Sequence, residues 1–374
     1  MGSSTNTVYK IKRIVPIVAG IVVLVLAGFL LGKPLLAMLS GGGDSTSQPQ
    51  ISSQPESQSQ HVVSESTASQ NNVPSIESTS SQESVSSVIE VIPPVVAKTK
   101  VYYYIDTAVL STDAGVAAVI DRAKAAGATH LVFDVKNQDG TVMYISENEY
   151  ASKLQSDKAI DLKAVAERLS ANGLVPVARM YTFMDKLISN IERSTAVMYQ
   201  GTDTRWLDSS AALGGKAWAN PANSTMQEYI TALTDEVLSM GVKEFIFAGF
   251  HTPTGYSLDK RDFGASMDQV LAAIKSLYRT LEGKISAKGG SCSLQVEYSA
   301  IIPEGNYSHY IVHPYQLGAK NIVVTAKGGD TEVSQAAATL KTATEAEEIS
   351  TVTLWFTDNV NTDGTKELGN YFTH

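Results

Sequence analysis

Four times between residues 123 and 325 the chain repeats one phrase: a helical stretch, a glycine, then a short β-branched run. Ala123–Val135 reads AKAAGATHLVFDV, Glu167–Arg179 reads ERLSANGLVPVAR, Val237–Phe247 reads VLSMGVKEFIF and Tyr315–Thr325 reads YQLGAKNIVVT. Glycine stops a helix because it adopts left-handed backbone angles without a steric penalty. The apolar run after it is too short for a buried helix and reads as a buried strand. Helix and strand alternating in this way predict a parallel sheet with crossover helices. Strands are expected near 101–106, 130–135, 174–179, 244–249, 293–299, 321–325 and 350–356. Helices are expected near 112–126, 161–172, 224–240, 266–288 and 331–346. The fold class is therefore α/β, a TIM-like (β/α)8 barrel. Seven strands can be placed; an eighth is either hidden, with Tyr307–Val312 as the candidate, or the barrel is incomplete. An open doubly wound sheet is the alternative. No glycine-rich phosphate loop follows the first strand, which argues against a dinucleotide fold.

The texture before residue 99 is different. Ile14–Gly32 is an uncharged apolar run long enough to span a bilayer as a helix. Lys10, Lys12 and Arg13 precede it and only Lys33 follows closely, so the positive-inside rule puts the N-terminus in the cytoplasm. A cleaved signal peptide is the other reading, but the run is long for a signal core and no clear A-x-A site follows it. From Gly41 the chain is dominated by Ser and Gln, a composition that cannot bury enough apolar surface to offset the entropy of ordering. The expected organisation is a cytoplasmic segment at 1–13, a transmembrane anchor at 14–39, a disordered stalk at 40–98 and a folded body at 99–374. Such a stalk has a mean reach of about 40–45 Å. The body is then extracellular, on a single-pass protein of the cell membrane, held through its N-terminal helix.

The net charge of −9, with the N-terminal cations set beside the apolar run, argues against nucleic acid as a partner. The single cysteine, Cys292, excludes an internal disulfide and reads as a small buried hydrophobe. His309 and His313 have the spacing of a zinc pair, yet no third ligand is evident, so neither metal nor cofactor is expected. No Gly-x-Ser-x-Gly elbow and no P-loop occurs, which leaves serine-nucleophile and phosphoryl-transfer chemistry without support.

The residues with chemistry cluster where strands end. FDVKNQDG at Phe133–Gly140 places Asp134 and Lys136 two apart on a strand, and simple alternation puts both on one face. At the carboxyl end of a barrel strand that face opens into the mouth. Arg179 ends the next strand in VARMYTF.

Four segments in order resemble a glycosyl hydrolase-like domain family of unknown function, found in bacterial surface and secreted proteins. They are FDVKNQDGTVMY at Phe133–Tyr144, VARMYTFMD at Val177–Asp185, the stretch from Trp206-Leu207-Asp208 to Trp218-Ala219-Asn220-Pro221, and EFIFAGFHTP at Glu244–Pro253. The resemblance covers about Val101–Pro253 and implies a barrel related to glycosidases acting on α-linked sugars. Its fourth segment departs from the family pattern Glu-x-x-Phe-Asp-Tyr-x-Arg-Phe-Pro: Ala248 stands in place of the Asp, Gly249 of the Tyr and His251 of the Arg. Glycoside hydrolysis ordinarily needs two carboxyl groups flanking the bond, so this departure removes a candidate acid. The remaining catalytic candidates are Asp134 and Glu297, with Asp358 a weaker one. Candidate ligand-binding residues are Asp106, Lys136, Arg179, Tyr181, Trp206, Asp208, Trp218, Asn220 and His251. The aromatics suit stacking on sugar C–H faces, although both tryptophans also suit a buried packing role. Three readings remain open: a barrel that binds a polysaccharide or cell-wall glycan with impaired hydrolysis, an active glycosidase with a relocated carboxylate pair, and a structural or partner-binding surface protein.

Overall fold

The computed structural model describes residues 99–298, 317–327, 335, 338, 349–357 and 370–373. The apolar run at 14–39, the stalk at 40–98, the candidate strand at 307–312, His309, His313, Asp358 and most of the helix expected at 331–346 lie outside them. Among the described residues no helix is long and apolar enough to cross a membrane.

Eight parallel strands close into a barrel in sequence order. They are β1 (Val101–Tyr104), β2 (His130–Lys136), β3 (Val175–Tyr181), β4 (Glu244–Ala248), β5 (Ser291–Glu297), β6 (Asn321–Ala326), β7 (Thr351–Phe356) and β8 (Tyr371–Thr373). All seven strands read from the sequence are present, and the barrel is complete. β5 pairs directly with β6. The eighth strand is the three residues Tyr371–Thr373, which pair with β7 on one side and β1 on the other. The β1–β2 pairing completes the ring.

Four helices occupy their expected places: α1 (Asp113–Ala125), α2 (Leu162–Ala171), α3 (Ser224–Ser239) and α4 (Met267–Ala287). Each begins at a side-chain cap, from Thr112, Asp161, Asn223 and Ser266, the last in a capping box with Gln269. These oxygens satisfy backbone N–H groups that have no partner within the helix. On α4, Val270, Ile274, Leu277, Tyr278, Leu281 and Ile285 are buried at helical spacing, giving a continuous stripe toward the core. Cys292 belongs to this layer; burial pushes its thiol up to about 11, as befits an inert packing residue.

The barrel interior is asymmetric. Seven strands contribute to one apolar cluster: Tyr102, Val132, Val177, Ile246, Val323, Trp355 and Phe372. The strand that contributes nothing is β5. Ser293 lies opposite Ile246, and Gln295 opposite Val323, so Ser293, Gln295 and Glu297 face inward. At the N-terminal end, Lys100 and His130 converge on Glu244, at 2.8 and 3.6 Å, in a polar floor. Burial alone would raise the Glu244 carboxyl; hydrogen bonds from His130 and Lys100 outweigh it and hold the group below its usual range.

Two excursions were not legible in advance. After β2 the chain adds Val142–Tyr144, antiparallel to β2, and Gln155–Ile160, parallel to that segment. A two-stranded ribbon also joins Met198–Tyr199 to Arg261–Asp262.

Candidate functional site

The first two motifs meet at the mouth. Asp134 on β2 lies directly across from Arg179 on β3. Arg179 grips the carboxylate with both arms, Nε to Oδ1 at 2.5 Å and Nη2 to Oδ2 at 2.9 Å. The Tyr104 hydroxyl donates to Asp134 Oδ2 at 3.2 Å and accepts from Arg179 Nη2 at 3.1 Å. The guanidinium carbon sits 4.5, 4.8 and 5.2 Å from the ring centres of Tyr104, Trp355 and Tyr181. Three ring faces and a carboxylate therefore surround one cation. Burial works against the Arg179 charge, but the hydrogen bonds and charge of Asp134 outweigh it, and the guanidinium is held above its ordinary value. This part of the mouth is filled by the protein's own arginine.

Lys136 does not join this group. A bulge in β2 sets it opposite Met180, so it leaves the face that simple alternation assigns and turns to the outer side of the strand. There it is 0% exposed and 2.8 Å from the equally buried Asp185, the last residue of the second motif. Its ammonium also donates to the Tyr181 carbonyl at 2.8 Å. Burial pulls the Lys136 ammonium below its usual value, and Asp185 offsets that only in part. Asp185 Oδ1 in turn accepts the backbone N–H groups of Leu187 and Ile188. Gly140 packs against the same carboxylate: a Cβ there would lie 1.9 Å from Asp185 Oδ1, and the backbone has φ +99°. The first two motifs thus interlock through Asp134–Arg179, Lys136–Asp185 and Gly140–Asp185, and Lys136 is out of a ligand's reach.

The third motif is also turned inward. Trp206 and Trp218 are buried. Trp206 Nε1 donates to the Ser257 carbonyl at 3.0 Å and Trp218 Nε1 to Asp208 Oδ2 at 3.1 Å. Asp208 Oδ1 accepts the Lys216 N–H at 2.7 Å. Asn220 is spent on the Phe263 carbonyl and the Ala222 N–H. These four residues tie the long loop after β3 onto the loop after β4. Neither indole face is displayed for stacking, because both side chains are buried. Asp106 is exposed and caps the short 3-10 turn at Thr107–Ser111. His251 rests against Trp218 with ring centres 5.5 Å apart. Its Nδ1 lies 2.7 Å from the Thr252 carbonyl, so that nitrogen carries the proton.

At the end of β4, Ala248 is buried and Gly249 takes φ +61°. Thr182 donates its N–H to the Ala248 carbonyl and its hydroxyl to the Gly249 carbonyl, each at 2.9 Å. No acid stands here. Around the barrel, at the ends of β5, β6 and β7, lies a cavity of about 450 Å3 lined by Glu297, Tyr298, Thr325, Ala326, Lys327 and Thr357. Glu297 is its one carboxylate among the described residues. The lining holds a carboxylate, an ammonium, two hydroxyls and a phenol; the Thr325 and Thr357 hydroxyls donate to the Val296 and Ala326 carbonyls at 3.1 and 3.4 Å. Inward of Glu297 on the same strand, Gln295 Oε1 is buried without a hydrogen-bond partner among the described residues. Of this lining the sequence singled out only Glu297. The alternation of LQVEYSA carried the signal for Gln295, whereas Thr325, Lys327 and Thr357 carry none in isolation. No group of three or more His, Cys, Asp and Glu side chains among the described residues is placed to hold a metal ion.

A closed eight-stranded barrel with a polar cavity at the strand C-termini is the architecture of a TIM-like barrel domain, whose sites lie at that face. Residues 103–302 match the family described as "Putative glycosyl hydrolase domain", and the chain belongs to it. No curated protein sequence matches the chain. Among solved structures, the PgaB (BpsB) glycoside hydrolase domain from Bordetella bronchiseptica aligns with a TM-score of 0.54 and 11% identity, over 74% of this chain and 94% of that one. A hypothetical protein from Ruminiclostridium thermocellum aligns at 0.45 and 17% identity, over 56% and 100%. Alpha-L-fucosidase isoenzyme 2 from Paenibacillus thiaminolyticus aligns at 0.44 and 10% identity, over 72% and 47%. At 11% identity the likeness to the Bordetella domain is one of fold.

Proposed function

We propose that this chain is a membrane-anchored, outward-facing glycoside hydrolase-like protein that binds a cell-envelope or environmental glycan with impaired or no hydrolysis. The observation that carries the reading is the fate of the carboxylates. Two flanking carboxyl groups are needed to cleave a glycosidic bond, about 5–9.5 Å apart. Asp134 has both oxygens engaged by Arg179 and one also by Tyr104. Ala248 supplies no acid, and Glu297 alone lines the cavity among the described carboxylates. A polar cavity with one acid among the described residues favours binding over turnover. The anchor at 14–39 and the cations before it support the outward orientation. Burial of Trp206 and Trp218 favours the structural reading to the extent that it removes two expected stacking surfaces; the cavity at Glu297 weighs against it.

The test uses the intact chain in detergent micelles, incubated with bacterial wall glycans and α-glucans. Retention on each polymer and release of reducing ends are measured for wild type and Glu297→Gln. Retention without release, weakened in the variant, is the expected result. Release that disappears in Glu297→Gln would establish an active glycosidase instead. Neither retention nor release would move the assignment to a structural or partner-binding protein.

A further inference from the structure

One strand breaks the pattern of the barrel interior. The seven residues that fill it, one from each of the other strands, are no more than 5% exposed. Ser293 and Gln295 of β5 face the same space at the levels of Ile246 and Val323, and both are only half-buried. Short or polar side chains stand there where the other strands place Val, Ile or an aromatic ring, so packing along β5 is incomplete. Gln295 lies two residues inward of Glu297 on one face, about 6.6 Å along the strand. Val323 and Trp355 lie likewise two residues inward of Thr325 and Thr357. The space along β5 is therefore the floor of the cavity at the strand ends, whose lining includes Glu297, Thr325 and Thr357. In that floor Gln295 Oε1 is buried, and no described residue donates a hydrogen bond to it. Native proteins rarely leave a buried acceptor empty, because the group loses its hydration on folding and gains nothing in return.

We infer that Gln295 is a ligand-binding residue of the Glu297 site and accepts a hydrogen bond from a sugar hydroxyl lowered into the floor. This rests on the glycan-binding reading proposed above and adds which side chain reads the sugar and by what chemistry. Gln295 Oε1 can only accept. The Thr325 and Thr357 hydroxyls give their protons to the Val296 and Ala326 carbonyls, so they too meet a ligand as acceptors. With the Glu297 carboxylate, four acceptor groups surround the space. Such a set calls for a ligand that brings O–H or N–H donors. A carboxylate brings none, and the Lys327 ammonium in the lining works against a cationic amine. A neutral sugar brings a donor on every hydroxyl. The ~6.6 Å between the two levels lies within the roughly 5–9.5 Å that separates groups on either side of one glycosidic bond. A single sugar can therefore touch both Glu297 and Gln295.

The intact chain in detergent micelles is titrated with maltotriose and with chitotriose, wild type against Gln295→Met, and both proteins are melted without ligand. Methionine keeps an unbranched side chain of similar size and removes the amide. The variant is expected to bind about tenfold more weakly whichever trisaccharide wild type binds. It is also expected to melt about 2–4 °C higher, because a buried acceptor with no donor is gone from the free protein. A structural role predicts the opposite sign: a lower melting temperature in Gln295→Met shows that Oε1 is spent within the protein and overturns the inference. Unchanged affinity overturns it too, and leaves glycan binding at Glu297 standing. So does retention of a polymer by wild type when neither trisaccharide binds, since one sugar then does not reach the floor. If wild type neither retains a polymer nor binds a trisaccharide, the glycan-binding reading fails and the role of Gln295 falls with it.

Discussion

Replacing Asp134 by alanine should unfold this protein more than it disables it. The variant leaves the Arg179 guanidinium within the barrel, with side chains that are only 10% and 13% exposed in the native pair. Breaking a buried pair by removing one partner costs about 3–5 kcal/mol, since the remaining charge has neither water nor a counter-charge. The ring faces of Tyr104, Trp355 and Tyr181 flank the guanidinium before and after the substitution and so leave the difference unchanged. A loss of about 3–5 kcal/mol should lower the melting temperature by roughly 6–20 °C in a domain of this size. The assay is thermal unfolding of the intact chain for Asp134→Ala, Arg179→Met and the double variant Asp134→Leu with Arg179→Met. Both charges are gone in the double variant, so its loss should be smaller than the sum of the singles. The reasoning is refuted if Asp134→Ala melts within about 2 °C of wild type, and all the more so if it then also abolishes a measurable hydrolysis.

Three further outcomes follow from the same geometry. Gly140→Ala must hold φ +99° with its Cβ 1.9 Å from Asp185 Oδ1, so it should lose well over the ~1–3 kcal/mol of backbone strain alone and express poorly; a wild-type melting temperature would show that the turn can move away. Glu244 has its carboxyl held below its ordinary value of 4.5. A depressed acid contributes stability that is present above the unfolded value and is lost as pH falls through the folded one. Melting temperatures measured from pH 7 to 3 should therefore drop below about pH 4.5 in wild type, and less steeply in Glu244→Gln; parallel curves would contradict the assignment. Trp206→Phe removes the donor to the Ser257 carbonyl, a loss of about 1 kcal/mol, and should hasten proteolytic cleavage within 253–261 far more than it lowers the melting temperature. Unchanged cleavage would mean that the loop is held by other contacts.

The barrel was readable because its signal is local and repeated. Each helix–glycine–strand phrase states its own secondary structure, and alternation of the two kinds leaves few topologies. Tyr371–Thr373 escaped because three residues give no period, and what makes them a strand is the pair of edges waiting on either side. The site was harder for a related reason. Asp134 and Arg179 were placed at the mouth by strand position alone, but whether a carboxylate faces a ligand or an arginine depends on a neighbour 45 residues away. Lys136 was assigned to the wrong face because a one-residue bulge inverts alternation and leaves no mark in composition. The tryptophans have two physically sound roles, and only their burial under the loops after β3 and β4 separates them.

Closure of the ring through β8 makes the folding problem non-local. The Lys100 N–H bonds to the Asn370 side chain, and Val101 pairs with Tyr371, across 270 positions of chain. Bringing such distant segments together carries a loop entropy of about 5 kcal/mol if nothing between them is yet ordered, so the seam should form late, on a largely assembled sheet. Until it does, β1 and β7 each present an unpaired edge, the kind of surface on which chains associate. The kinetic vulnerability of this protein then lies in the shortest strand of its barrel: a substitution among Tyr371–Thr373 that barely alters the finished barrel would prolong the open state and divert molecules into aggregates.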